Sequence, residues 1–134
     1  MRWKRTRTLK RLIPTEGDTL RAVIDFLEAQ MALGNLVYIR IHPVRPFSDK
    51  FGNLKFAKVR PSQKGAPDLI AWKRKSYLYA PQTISFAIEV KSPTGEMSDD
   101  QKKWQAKFEA IGGRYILVKD INSFLREFAG EKDG

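Results

Sequence analysis

Residues 84–91 read Ile-Ser-Phe-Ala-Ile-Glu-Val-Lys. Ile84, Phe86, Ile88 and Val90 alternate with Ser85, Ala87, Glu89 and Lys91. A strand points successive side chains to opposite faces, so this order gives it one strongly apolar side. The same period of two puts Glu89 and Lys91 together on the other face, at the strand's end. Pro93-Thr94-Gly95 then makes a turn.

Working outward, Ser98 is a good N-cap for a helix, and Asp99 and Asp100 suit its first turn. Trp104, Phe108 and Ile111 are expected to form that helix's buried stripe, and Gly112-Gly113 to end it. Tyr115 to Val118 reads as a short buried strand, and Ser123 to Phe128 as a short terminal helix. A helix between two strands predicts a parallel crossover. Upstream, Asp68 to Trp72 reads as a strand entered through Gly65-Ala66-Pro67. Residues 47–64 contain a Gly-Asn turn signal and fit either an irregular hairpin or a mobile basic loop. Leu20, Val23, Ile24, Leu27 and Met31 recur at helical spacing after Pro14 and Thr15, with Gly34 closing that helix. Asn35 to His42 reads as a strand with Val37, Ile39 and Ile41 on one face. The order α–β–(loop)–β–β–α–β–α predicts an α/β fold, a small mixed β-sheet flanked by helices.

The chain has 134 residues, room for one ordinary domain, here placed at residues 14–130 after a basic arm at 1–13. With 25 Lys+Arg against 15 Asp+Glu the formal net charge is +10. The arm holds six basic residues and no acid, and residues 40–64 hold seven against one. Such blocks point to a polyanionic partner, most often nucleic acid. The absence of cysteine excludes disulfides, Cys-ligated zinc and iron–sulfur clusters. No apolar run reaches the roughly 20 residues that span a bilayer, and the basic start lacks the apolar stretch of a signal peptide. The expectation is an intracellular, cytoplasmic protein without a membrane partner, from a bacterial or phage-infected cell.

The polar residues that strand alternation leaves unexplained carry the chemistry. Asp68 heads one strand and Glu89 ends the next, 21 residues on. Neighbouring strands lie about 4.8 Å apart, so the two carboxylates can face each other across the ladder. Facing carboxylates repel unless a cation sits between them, and hard oxygen donors favour Mg²⁺ or Mn²⁺. Lys91, one pleat on, would point to the same place, to hold an attacking water or neutralise charge building on a phosphate.

Three stretches carry a family resemblance: Lys64-Gly65-Ala66-Pro67-Asp68, Ile88-Glu89-Val90-Lys91-Ser92, and Gly95-Glu96-Met97-Ser98-Asp99-Asp100-Gln101. With the acid Glu16 opening the first helix and Gly113-Arg114-Tyr115-Ile116-Leu117-Val118 closing the sheet, the chain resembles the VRR-NUC family of the PD-(D/E)XK nuclease superfamily, from about residue 15 to about residue 120. The resemblance implies a restriction-endonuclease-like core and metal-dependent hydrolysis of DNA phosphodiesters. It implies that Asp68, Glu89 and the Val90 carbonyl ligate the metal and that Lys91 orients the water. Gln101 would face the site from its helix start, and Glu16 would support it or add a metal contact. Family members of the stand-alone type look like structure-specific nucleases acting on junctions or flaps, such as Holliday junctions, often as homodimers. The segments 43–64 and 73–83 are longer than a minimal version of the fold.

Arg40, Lys64 and the bases between them, including Lys58 and Arg60, flank this site in sequence and are candidates for phosphate contacts, as are Arg5 and Arg7 of the arm. His42, the only histidine, is read as a surface residue. Trp104 and Phe108 are read as core rather than as a base-stacking platform. The competing reading is a non-catalytic protein that recognises DNA structure, against which the presence of Asp68, Glu89 and Lys91 together argues; a basic RNA-binding or ribosome-associated protein would explain the charge but not the carboxylates.

Overall fold

The computed structural model describes residues 13–42, 47–55, 60–75 and 82–130. Arg5 and Arg7 of the arm, Lys58, Tyr77 and Tyr79 lie outside them. The first helix, α1 (Glu16–Ala32), starts where a capping box is available: the Thr15 hydroxyl accepts the Asp18 N–H, and the Asp18 carboxylate accepts the Thr15 N–H. It buries Thr19, Val23 and Leu27, at four-residue spacing. Strand β1 (Leu36–Arg40) follows. The Gly-Asn signal resolves as a small hairpin, β2 (Phe47–Ser48) against β3 (Leu54–Lys55), whose turn is held by the Asp49 carboxylate accepting the Phe51 and Asn53 N–H groups. A 3₁₀ turn at Pro61–Gln63 leads to β4 (Leu69–Lys75), which extends past the expected Trp72.

Strand β5 (Gln82–Val90) is this alternation with two further residues at its start, and Lys91 follows its end. Helix α2 (Asp99–Ala110) begins at the expected Ser98 cap, with Gln101 completing a second capping box. Strand β6 (Arg114–Val118) follows, then α3 (Ile121–Ala129), which starts before Ser123 because Asp120 is the N-cap. The four main strands lie in the order β1-β4-β5-β6. β4 is antiparallel to β1 and β5, and β6 is parallel to β5 across the α2 crossover. This is the expected α/β architecture, a small mixed sheet with three helices among the described residues. No helix among the described residues is long and apolar enough to cross a membrane.

The two faces of the sheet differ. Leu36, Leu69, Ala71, Phe86, Ile88, Val90, Ile116 and Val118 are buried on one of them, against Val23 and Leu27 of α1 and Phe124 and Phe128 of α3. Rings meet edge-on there, with Phe26 5.9 Å from both Phe124 and Phe128. Lys73 reaches out of this face to donate to the Phe128 carbonyl at 2.7 Å, tying down the last turn of α3.

One expectation holds with its face now assigned, and one needs correction. Val37 and Ile39 do share a face, but it is the open one, and each is 51% exposed. Their pairing with Trp72 and Ile70 puts them opposite α1, so the inward residues of β1 are Leu36 and Tyr38. The stripe Trp104, Phe108 and Ile111 is not buried either: no residue of α2 is, and Ile111 is 84% exposed. Helix α2 covers only the β5–β6 side of its face, so its aromatic residues stay half open to solvent.

Candidate active site

The register of β4 and β5 pairs Leu69 with Ile88, which sets Asp68 opposite Glu89 just beyond the ladder's last pair. Both carboxylates are tied to backbone across this join. The Asp68 N–H donates to Glu89 Oε2 at 3.1 Å, and the Val90 N–H donates to Asp68 Oδ2 at 2.8 Å. Each acid is thus aimed by its neighbour's main chain, and neither can swing away without leaving a donor unpaired.

Lys91 lies on the Glu89 face, with Nζ 3.7 Å from Glu89 Oε1. Its side chain is one-fifth exposed, so the ammonium remains reachable from solvent. Gln101 closes the group from above. Its Nε2 donates to Glu89 Oε1 at 2.8 Å while its Oε1 accepts the Ser98 N–H at 2.9 Å. One amide therefore caps α2 and holds a site carboxylate, and flipping it would break both bonds.

Burial pushes the Glu89 carboxyl up to about 7, the nearby Asp68 charge adds to this, and Lys91 opposes it. Burial also raises Asp68, against the pull of the Val90 N–H. Glu16 pushes both acids further up by its charge, and Arg40 draws Asp68 down. Both residues therefore lie within electrostatic range of the pair, although no three acidic or histidine side chains among the described residues gather closely enough to cage a metal. Lys64 lines the cleft beside Asp68 together with Gly65, Pro67, Asp100 and Gln101, and exposed Arg60 precedes it. His42 borders the same cleft and is exposed.

Gly65 sets the shape of that cleft. Its φ is +76°, and a Cβ there would come within 2.1 Å of the Asp100 carbonyl. Only glycine lets the 64–66 segment lie flat on the first turn of α2. Tyr115 carries no site signal in the sequence, but its β6 position brings its buried hydroxyl close to the carboxylates. It has no hydrogen-bond partner among the described residues, and burial followed by the charges of Glu89 and Asp68 raises its pKa. Period two alone signals only which face it takes.

Neither the curated proteins nor the solved structures give a significant match to this chain. The family model of the VRR-NUC domain matches residues 47–119. Asp68, Glu89, Lys91 and Gln101 fall inside the match, whereas Glu16 and Arg40 fall outside it. Matched over more than half its length, from the small hairpin through β6, the chain belongs to the VRR-NUC family of nuclease domains.

Proposed function

We propose that the protein is a divalent-metal-dependent nuclease that hydrolyses phosphodiester bonds in branched or flapped DNA, with its catalytic domain spanning residues 14–130. One observation carries the reading: a buried and a half-buried carboxylate held face to face, with a lysine and a glutamine converging on the same oxygen of the buried one. A purely structural site would not need to keep two acids whose charged forms are both disfavoured.

The donor set fits a hard dication. It offers oxygen only, and Asp68 Oδ1 accepts no hydrogen bond among the described residues. Asp68, Glu89 and the Val90 carbonyl would hold Mg²⁺ or Mn²⁺, which supplies Lewis-acid polarisation of a phosphate and acidifies water. The remaining work falls to the chain itself. Lys91 orients the attacking water and offsets charge growing on the phosphate. Gln101 keeps Glu89 turned toward the site, and Glu16 adds negative potential that favours a cation. Arg40, Lys64 and Arg60 anchor the phosphates on either side, while Lys58 and the arm with Arg5 and Arg7 add longer-range attraction.

The test is a cleavage assay on four-way junction, flap, single-stranded and duplex DNA in Mg²⁺, Mn²⁺ or EDTA. The expected result is metal-dependent cutting that favours a branched substrate. Lys91→Ala should slow it about 100- to 1,000-fold, with affinity changed less than about 3-fold, because other phosphate contacts supply the binding. Tight binding with no cutting in either metal would point instead to a protein that only recognises DNA structure.

A further inference from the structure

Beside the carboxylate cleft runs a second groove of about 440 Å³, between the 3₁₀ turn at Pro61–Gln63 and the outer side of α2. It is the size of a small-ligand site. Lys64 and Asp100 line both cavities, so the groove adjoins the candidate active site. Its floor is Trp104, Phe108 and Ile111. Trp104 and Phe108 stack on each other with ring centroids 5.0 Å apart and planes 22° apart, and the stacked pair stays half open to solvent along the groove. Gly113 permits this, since a Cβ there would strike the Phe108 ring at 2.2 Å.

Lys103 and Lys107, one helical turn apart, stand along one wall, and Lys64 stands across from them. All three are exposed, and none forms an ion pair among the described residues. Asp100 is the only acid on the lining, so the groove is cationic over an aromatic and aliphatic floor. Double-helical DNA presents phosphates but hides its base faces in the stack. An unpaired strand presents both, and aromatic platforms within basic grooves are how such strands are held.

We infer that this groove binds an unpaired DNA strand next to the scissile phosphate, stacking a base on Trp104–Phe108 and pairing phosphates with Lys64, Lys103 and Lys107. The inference rests on the nuclease reading for its choice of ligand. It supplies a physical reason for preferring flaps or frayed junctions: a duplex end can fill the carboxylate cleft alone, whereas a tailed end fills both cavities.

The test compares a blunt duplex with the same duplex carrying an unpaired tail, by fluorescence anisotropy with the full chain in EDTA. A 2-aminopurine at the first unpaired position reports stacking. The tail should raise affinity about five-fold or more and quench the 2-aminopurine. Lys103→Glu combined with Lys107→Glu should erase that gain. Both residues are exposed, so the fold does not depend on them. Trp104→Leu should abolish the quench, and if that variant does not fold, the lysine pair still decides. Equal loss of tailed and blunt binding would overturn the inference, as would polyglutamate displacing tailed DNA as readily as an oligothymidylate does. A retained tail preference in a protein that cuts no DNA would sink the nuclease reading and leave the groove standing. Cutting with a tail preference that the lysine pair does not alter would do the reverse.

Discussion

The two faces of the sheet divide stability from chemistry. One face is sealed: Phe86, Ile88 and Val90 of β5 meet Val23, Leu27, Phe124 and Phe128, all buried. The other is half covered by α2, leaves Val37 and Ile39 to solvent, and carries Asp68, Glu89 and Lys91 at one end. Both faces belong to the same strands, so β5 contributes core and site at alternate residues. A rigid sealed face lets the opposite one hold a pair of mutually repelling acids without the sheet giving way.

The sharpest way to test that division is to cut into the sealed face. Phe86→Ala should cost about 3–5 kcal/mol, a large fraction of the stability of a domain of this size. Ile111→Ala, on the open side, should stay within about 0.5 kcal/mol. Urea unfolding of both variants checks this, and comparable losses would mean that α2 packs more tightly than its exposure indicates.

Next in size is the pH response of the metal-free protein. Glu89 holds its proton up to about 7 when folded and releases it near 4.5 when unfolded. Between those values the native state binds more protons, so stability falls as pH rises through the window, by up to about 3 kcal/mol. Asp68 shifts in the same direction and deepens the fall. The cap acids Asp18 and Asp120 are shifted down, so their contribution is lost only below this range. Added Mg²⁺ should flatten the curve. Asp68→Asn should make it shallower without metal, because one charge that pushes Glu89 up is gone while the amide oxygen can still accept the Val90 N–H. Stability that climbs from pH 5 to 7 in EDTA would show that the acids are not held as a repelling pair.

The smallest effect is expected at Tyr115. Its hydroxyl is buried without a partner among the described residues, so Tyr115→Phe removes an unmet hydrogen-bonding group and should leave stability unchanged or slightly raised. A loss above about 1 kcal/mol in the urea midpoint would reveal a water bridging the hydroxyl to the site.

Local signals survived folding where one residue's chemistry sufficed. Ser98 caps its helix as read, and Thr15, read only as opening the first element, caps α1 in the same way, because a hydroxyl facing an N–H three residues on needs no tertiary partner. The Glu89/Lys91 face followed from period two, and the parallel crossover from a helix between strands. Trp104, Phe108 and Ile111 misled, because helical spacing marks an apolar stripe without saying whether anything covers it. Val37 and Ile39 share a face as read, but period two does not say which face is covered: both faces of β1 are partly apolar, and only the docking of α1 selects Leu36 and Tyr38 as the inner ones.

The sequence alone determined which residues of each strand travel together, because backbone geometry sets side-chain direction locally. It also carried the family's motifs, spaced along residues 64–101. The tertiary structure decided the register that sets Asp68 against Glu89, the double duty of Gln101, and the opening of the groove beside them. Those depend on strand pairing and on Gly65 lying against α2, contacts between segments distant along the chain, which no local preference encodes.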